Sequence, residues 1–412
     1  MKTTNPSYLR LKLACFSSSL SMSVVGNLSP VLFLTFRSLY GISYSLLGLL
    51  VLINFVTQLG IDLVFSFFSH RFNIPRVLCV MPCLTVVGLL IYALAPVLFP
   101  SAVYLGLVIG TVIFSMAAGL GEVLISPVIA AIPAPDPERE MSKLHSVYAW
   151  GTVGVIVICT LFLFLVGEAY WQYLALGFAL IPLLSAILFF GARVPPLASP
   201  ERASGALELL KTRGIWLCVL SIFFGGAAEC TMAQWCSGYI EKALGIEKLW
   251  GDLFGVALFS LMLGLGRTLY GKIGKNIGRV IFFGSLGATA CYLLAAVVGL
   301  PVIGLIACGL TGFFVSMLWP GNLVVAADRF PAGGVFIYAM MAAGGDLGAS
   351  VGPQLVGVIT DVASEASWGI SLAESLSLAP EQLGMKLGML VGMLFPLIGC
   401  FLAYRLWKKK KT

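Results

Sequence analysis

Five ionisable side chains interrupt otherwise apolar runs in this 412-residue chain: Asp62, Glu122, Glu229, Arg267 and Asp346. Carboxyl groups taken out of water can bind and release protons, and a guanidinium group taken out of water needs an anionic partner. Charged residues make up 10% of the chain, compared with about 25% in soluble domains. Because charge is costly inside hydrocarbon, these five residues are the first candidates for function.

Apolar stretches recur along the whole chain, and hydrophobic residues make up 59% of it. A helix needs roughly 20 apolar residues to cross a bilayer, since its backbone groups must all bond within the segment. The first stretch is too long for a signal peptide and is expected to remain as a span. The sequence therefore predicts an all-α integral membrane protein with twelve transmembrane helices. The predicted spans are 12–36, 44–67, 77–98, 103–131, 145–166, 170–191, 215–240, 251–274, 279–299, 302–327, 336–360 and 386–406.

A polar, proline-containing segment separates the sixth and seventh predicted spans. We therefore expect an N-terminal six-helix bundle at 1–191, a cytoplasmic linker at 192–214 and a C-terminal six-helix bundle at 215–412. Most lysines and arginines fall on the same side as both termini, and basic residues favour cytoplasmic loops. This bias predicts a multi-pass protein with both termini in the cytoplasm, and the expected location is a bacterial plasma membrane. It also accounts for the net charge of +7 without a nucleic-acid partner.

The chain lacks the residue clusters expected of an enzyme or a metalloprotein. It has only two histidines, and its ten cysteines include no CxxC pair, so a dedicated metal site is not expected. Phosphate-binding loops, nucleophile elbows and kinase signatures are absent from the sequence. We therefore predict neither enzymatic activity nor a cofactor. The expected partners are a small-molecule solute, a coupling ion and membrane lipid, and the expected state is a monomer.

Polar residues recur every four positions in the second predicted span, as Asn54, Gln58 and Asp62, and a similar stripe begins at Asp346 in the eleventh. Residues four apart lie on the same face of a helix. Lipid offers a polar side chain no partner, so each stripe must face protein or a water-filled path. Two interpretations remain open: hydrogen bonding between packed helices, or the surfaces of a gate.

Two loop segments carry a resemblance to the major facilitator superfamily, whose members have a Gly-x3-Asp-Arg-x-Gly-Arg-like signature after spans 2 and 8. The second copy here keeps Gly274, Gly278 and Arg279, whereas the first has Ser66 and His70 where the family has glycine and aspartate. The resemblance implies the major facilitator fold, with two pseudo-symmetric six-helix halves. It also implies gate surfaces on spans 2 and 11 and a cavity lined by spans 1, 4, 7 and 10.

Glu122 is the strongest candidate for proton coupling. It follows Gly119 and Gly121, which allow a neighbour or ligand to approach closely, and it precedes Pro127 by five positions. A lone buried glutamate could exchange a proton as its surroundings open to either side; the alternative is a structural carboxylate bonded to a neighbouring helix. The Glu-x4-Pro spacing resembles that of the fucose:proton symporter family, which implies roles in proton coupling and sugar binding. That family also has an aspartate in span 1, where this chain offers Asn27.

Glu229 is the candidate for a second proton-coupling carboxylate. It lies about 21 Å of helical rise into the seventh predicted span, near mid-depth. Aromatic rings beside amide and carboxylate groups suit sugars, whose C–H faces stack and whose hydroxyl groups hydrogen-bond. For Trp235 the alternative is an aromatic belt at the membrane surface. The residues expected to contact the solute are Asn27, Gln234, Trp235, Trp319 and Asn322.

Arg267 lies too deep in the eighth predicted span to be an ordinary loop charge. An unpaired guanidinium group at that depth is costly, so a partner is expected. A structural pair with Asp346 is the leading interpretation. Glu122 or the carboxylate or phosphate of a substrate are the alternatives.

Together these features predict a secondary active transporter. We expect proton symport of a small polar organic solute, with a sugar or polyol favoured, by alternating access; sodium is the alternative coupling ion. The closest competing hypothesis is a proton-antiport exporter of drugs or metabolites. A sensor that binds its ligand without transporting it is a third.

Overall fold

The computed structural model is almost entirely helical, because a chain in hydrocarbon must bond its backbone groups within each segment. Eleven helices among the described residues are long and apolar enough to cross a membrane. The predicted all-α class, with about twelve helices, is confirmed. The structure describes residues 8–68, 71–133, 137–195, 210–273, 276–330 and 334–408. His70, Gly274 and Lys275 of the two loop signatures lie outside these ranges.

The helices before residue 192 follow the apolar runs closely, and local signals set their ends. Gly41 ends the first helix in the left-handed region (φ 66°), where its N–H bonds to the carbonyl of Arg37. The side chain of Asn73 accepts a hydrogen bond from the backbone of Arg76 and so begins the third helix. Consecutive segments along one span share a label. These helices are α1 (Leu9–Tyr40), α2 (Tyr44–Phe68), α3 (Ile74–Ala93), α4 (Val103–Ala131), α5 (Pro137–Leu165) and α6 (Trp171–Phe178 with Leu180–Phe189).

The helices after residue 212 are more broken. A π-helical segment, Asp252–Val256, interrupts the second of them, and a short helix at Ser367–Ser375 precedes the last. These helices are α7 (Arg213–Lys242), α8 (Lys248–Gly251, Asp252–Val256 and Ala257–Ile273), α9 (Ile277–Val297), α10 (Pro301–Val315 with Leu318–Arg329), α11 (Gly334–Glu365) and α12 (Pro380–Gly392 with Leu394–Lys408).

Helix α11 is not one of the eleven helices that meet the apolar criterion for a membrane span, because it carries several polar residues. Its 32 residues rise about 48 Å, enough to cross a bilayer. It packs along its length against α2 on one side and α7 on the other. Its polar side chains therefore have protein partners where lipid would offer none.

The N-terminal set (α1–α6) meets the C-terminal set (α7–α12) along α2 with α11, α1 with α7 and α5 with α8. Small residues allow this close approach: a Cβ atom on Gly48 would lie 3.1 Å from the Cα of Gln354. We call the side on which α1 begins and α12 ends the terminal face, and the opposite side the distal face. Residues 196–209 of the predicted linker lie outside the described ranges, and the domain boundaries stay a prediction.

Candidate functional site

Three carboxyl groups meet where the two sets of helices join. Asp62 on α2, Glu122 on α4 and Asp346 on α11 place carboxylate oxygens within 4.8 Å of one another. Asp62 and Asp346 are each 1% exposed, whereas Glu122 is half-buried. Measured from the end of each helix at the terminal face, the helical rise is roughly 9 Å to Asp62, 14 Å to Glu122 and 18 Å to Asp346. We call Asp62, Glu122 and Asp346 the acidic cluster.

Small residues let α2 and α4 approach each other near the acidic cluster. A Cβ atom on Gly119 of α4, about one turn before Glu122, would lie 3.1 Å from the Cα of Gln58 on α2. Beside Asp346 on α11, Gly345 receives the ring of Trp319 of α10, which a Cβ would approach to 2.5 Å.

The acidic cluster cannot hold three negative charges without compensation. At an effective dielectric constant of about 20, two unit charges about 5 Å apart repel by roughly 3 kcal/mol. The carboxyl groups of Asp62 and Asp346 lie beside each other across the α2–α11 contact, and a hydrogen bond between two carboxyl groups requires a proton on one of them. The arrangement can therefore bind protons, and its oxygens are also of the type that hard cations prefer.

Arg267 on α8 pairs with Glu229 on α7. Its Nη2 lies 2.9 Å from Oε1 of Glu229, and its Nε donates to the carbonyl oxygen of Ser316 at 3.1 Å. The predicted pair of Arg267 with Asp346 is therefore wrong. The reason is helix adjacency: α8 packs against α5, α7 and α10, so its guanidinium group reaches Glu229 on α7.

Two residues connect this ion pair with the acidic cluster. Tyr148 on α5 lies within electrostatic range of Glu122, Glu229 and Arg267. Cys230 on α7 lies within electrostatic range of the same three residues and of Asp346. Sequence reasoning missed both, because a tyrosine and a cysteine in an apolar run carry no signal of their own; only the adjacency of Cys230 to Glu229 could have pointed to one. We call the acidic cluster, Tyr148, Cys230 and the Glu229–Arg267 pair the polar region.

Two residues predicted to contact a solute, Asn27 and Trp319, are half-buried. Asn27 donates from Nδ2 to the carbonyl of Ser23 at 2.8 Å and to Oγ1 of Thr152 at 3.3 Å. The ring of Trp319 lies over Gly226, whose Cβ it would meet at 3.0 Å, and over Gly345. Trp319 therefore packs beside Asp346, close to the acidic cluster.

Asn322 and Gln234 are more deeply buried. Asn322 is 1% exposed and donates from Nδ2 to the carbonyl of Leu318 at 2.6 Å, while its Oδ1 accepts no hydrogen bond from the described residues. Gln234 on α7 donates to the carbonyl of Gly26 on α1 at 3.3 Å. Gln234 thus bridges the two sets of helices.

Trp235 is buried between helices, although the sequence analysis predicts that it contacts the solute. It is 1% exposed, its ring packs against Phe33 at 5.3 Å and Tyr44 at 5.8 Å, and its N–H donates to the carbonyl of Pro353 at 2.8 Å. Burial among α1, α2 and α11 leaves it no open face in this conformation. It does not belong to an aromatic belt at the membrane surface either. The correction follows from its position toward the distal end of α7, where the two sets close on each other.

Asn54 and Gln58 pack α2 against α4. Oδ1 of Asn54 accepts from the hydroxyl group of Ser115 on α4 at 2.6 Å, and Gln58 lies against Gly119. Both residues are buried. Of the three residues in the predicted stripe on α2, Asp62 meets Asp346 of α11 in the acidic cluster, whereas Asn54 bonds to α4. The role of this stripe as a gate surface stays a prediction.

The distal face is held by contacts that the sequence analysis missed. Asp361 on α11 accepts from the backbone N–H groups of Tyr44 at 3.3 Å and Ser45 at 2.6 Å, at the start of α2. Glu381 on α12 lies 3.3 Å from the guanidinium group of Arg37 and accepts from the hydroxyl group of Tyr44 at 2.7 Å. We call these five residues the distal contacts. Acids at the ends of spans are ordinary in a sequence, so nothing set them apart.

Comparison with known proteins points to one family. The chain matches the family model described as the Major Facilitator Superfamily over residues 14–353. No curated protein sequence matches the chain significantly.

Solved structures of similar fold share little sequence with the chain. One is a bacterial homolog of the human lysosomal transporter Spinster, with a TM-score of 0.69, 14% identity and 98% of each chain covered. Another is a D-xylose–proton symporter, with a TM-score of 0.71, 16% identity, and 94% of this chain and 96% of that chain covered. A third is the fucose:proton symporter of E. coli, with a TM-score of 0.60, 16% identity, and 95% and 99% covered.

Proposed function

Because the chain belongs to the major facilitator superfamily of membrane transporters, we propose that it moves a small polar organic solute by proton symport with alternating access. A sugar or polyol is the favoured solute class. The observation that carries this proposal is the position of Glu122, a half-buried carboxyl group at the junction of the two sets of helices. A proton bound there is linked to any movement of one set against the other.

Glu122 is the proposed proton carrier because it is the least buried member of the acidic cluster. Asp62 and Asp346 beside it are almost fully buried. Glu229 is the proposed second carboxylate. Its Oε1 is bound to Arg267, whereas its buried Oε2 accepts no hydrogen bond from the described residues and is available to a solute hydroxyl group or a proton.

The proposed solute site extends from Glu229 toward α1 and α10. Asn27 and the free Oδ1 of Asn322 offer polar groups to hydroxyls, and the half-buried ring of Trp319 offers a face for sugar C–H groups. Gln234 contributes through its bridge to α1. Two solved proteins of similar fold are described as sugar–proton symporters, which supports the solute class.

The proposed orientation places the terminal face in the cytoplasm of a bacterial cell. It rests on the excess of lysine and arginine on that side. The protein is proposed to act as a monomer, because the polar region is built from one chain.

The test begins with a screen of sugars, polyols and nucleosides for thermal stabilisation of the purified protein, since a ligand of the folded state raises its apparent stability. A stabilising solute is then used for uptake into proteoliposomes under an imposed pH gradient. We expect an inward proton gradient to drive accumulation in the wild type and not in Glu122→Gln, which should still exchange solute. The matched control is Glu374→Gln, at an exposed position on the short helix before α12, which should behave as the wild type.

Three outcomes would contradict the proposal. Accumulation by Glu122→Gln equal to that of the wild type would remove Glu122 as the proton carrier. Solute efflux driven by an inward proton gradient would replace symport with antiport export. Ligand binding without flux under any gradient would indicate a sensor.

A further inference from the structure

Two helices of the C-terminal set place basic side chains on neighbouring ends at the terminal face. Arg279 lies in the first turn of α9, and Arg405 and Lys408 lie in the last turn of α12. A close contact joins the two ends, because a Cβ atom on Gly278 would lie 3.3 Å from the Cβ of Trp407. All three basic side chains are exposed. We call Arg279, Arg405 and Lys408 the basic patch.

An aromatic ring lies beneath each cation of the basic patch. The distances from the charged group to the ring centroid are 5.2 Å for Arg279 over Trp407, 4.4 Å for Arg405 over Phe401 and 4.7 Å for Lys408 over Tyr404. The face of an aromatic ring attracts a cation, so each long side chain is held close to the helix surface. The three charges are therefore positioned before any ligand arrives, and less conformational freedom is lost when one binds.

Carboxylates do not neutralise the basic patch. None of its side chains forms an ion pair with an acid among the residues that the structure describes. Three further lysines follow Lys408 in the sequence. The complement that this surface fits is therefore an anion from outside the chain.

The surroundings of the basic patch indicate which anion it is. Phe401, Tyr404, Arg405 and Lys408 fall within an arc of about 100° around α12, at 3.6 residues per turn. Phe401 is 55% exposed and Tyr404 38% exposed, so an apolar surface continues from the cations into the membrane. An apolar surface below and positive charge above match the acyl chains and the phosphate of a phospholipid. Guanidinium groups bind phosphate oxygens through two parallel N–H donors.

We propose that the basic patch binds the headgroup of an anionic phospholipid, whose acyl chains lie against Phe401 and Tyr404. The occupant is a membrane lipid and not a free phosphate, because a soluble anion would leave the two exposed rings uncovered. The bound lipid contacts the start of α9 and the end of α12 together and so stabilises the C-terminal set. This binding depends neither on the transported solute nor on proton coupling.

The experiment measures lipid binding to the purified protein in a non-ionic detergent. Phosphatidylglycerol is compared with phosphatidylcholine of the same acyl chains and with soluble glycerol phosphate, by native mass spectrometry and by the midpoint of thermal unfolding. In the wild type, we expect phosphatidylglycerol to bind about tenfold or more tightly than phosphatidylcholine and to raise the midpoint. Arg279→Gln, Arg405→Gln and Lys408→Gln in one chain should abolish this preference.

The matched control removes the same charge elsewhere on the terminal face. It replaces by glutamine three other exposed arginines, Arg76, Arg193 and Arg213. This control leaves the basic patch intact and should keep the preference of the wild type. Should the first triple variant fail to fold, Arg405→Gln with Lys408→Gln leaves Arg279 over Trp407 and should lose part of the preference.

Three outcomes would overturn the proposal. Equal binding of the two lipids by the wild type would show that the basic patch does not select anionic headgroups. An equal loss of preference in the control variant would show that net charge attracts the lipid and that no defined site exists. Binding of glycerol phosphate as tight as that of phosphatidylglycerol would assign the basic patch to a soluble phosphate.

Discussion

The two faces of the interface between the helix sets use opposite electrostatics. The distal contacts join unlike partners: the carboxylate of Asp361 meets backbone N–H groups of α2, and Glu381 meets Arg37. On the terminal side, Asp62, Glu122 and Asp346 bring like charges within 4.8 Å. The distal contacts therefore pair complementary groups of the polypeptide, whereas the acids on the terminal side would repel each other when ionised.

The Glu229–Arg267 pair sharpens this comparison, because it lies beside the acidic cluster and is built from unlike charges. Arg267→Ala would leave Glu229 without its cationic partner. Removing one partner of a buried ion pair costs about 3–5 kcal/mol. The side chain of Arg267 is 32% exposed and that of Glu229 14% exposed, so we expect a loss of about 2–3 kcal/mol in the free energy of unfolding. Denaturation of the purified protein in detergent measures it.

A second substitution identifies the partner of Arg267. Glu229→Gln in the Arg267→Ala background should restore part of the lost stability, because it removes the orphaned charge. Asp346→Asn in the same background serves as the comparison. Rescue by Asp346→Asn and none by Glu229→Gln would contradict the pairing seen in the structure.

Asp361→Ala is expected to have the largest effect on the distal face. It removes the acceptor of two backbone N–H groups at the start of α2, and a hydrogen bond to a charged group contributes about 1.5–3 kcal/mol. The open distal state should gain about tenfold or more in population, measured as the distance between genetically encoded spin labels at the exposed residues Val97 and Leu376. Asp361→Asn keeps one acceptor and should shift it less. An unchanged distance in Asp361→Ala would mean that the distal contacts do not hold this face closed.

The spans were predictable because each depends on a local property, the length of an apolar run. The predicted spans 44–67 and 103–131 nearly coincide with α2 and α4. By contrast, α5 begins at Pro137, earlier than the predicted 145, because its first turns are polar and the hydropathy criterion stops where they begin.

The partners of the charged residues were less predictable, because they depend on which helices are neighbours. Sequence reasoning selected Asp62, Glu122 and Asp346 one by one from their cost in hydrocarbon, but nothing in the order of residues says that they meet. The same gap explains the wrong partner for Arg267. It also explains why the burial of Trp235 was not foreseen, because its aromatic and hydrogen-bonding neighbours come from three other helices.

Asp346→Asn should stabilise the folded protein, whereas Asp361→Ala should weaken the distal contacts. In alkaline solution it removes one of three repelling charges from the acidic cluster, so the folded protein should become more stable by about 1 kcal/mol, well below the roughly 3 kcal/mol of one full repulsion. In acidic solution the cluster is already neutral and the difference should vanish. Thermal unfolding midpoints across the pH range measure both. Destabilisation in alkaline solution would show that the carboxylate of Asp346 has a cationic partner and would remove the contrast between the two faces.

Glu381→Gln should have the smallest effect, because an exposed ion pair contributes about 0.2–1 kcal/mol. Arg37 and Glu381 are 37% and 35% exposed, and an amide oxygen at residue 381 can still accept the hydroxyl of Tyr44. Arg37 also keeps its position over the ring of Tyr44, 4.1 Å from the centroid. The distal distance should therefore change little, and added salt should weaken the wild-type pair until the variant and the wild type agree. A distal face that opens in Glu381→Gln as far as in Asp361→Ala would mean that closure depends on this screened pair. Closure of the distal face would then respond to the ionic strength of the solution, and the hydrogen bonds of Asp361 would not be enough to hold it closed.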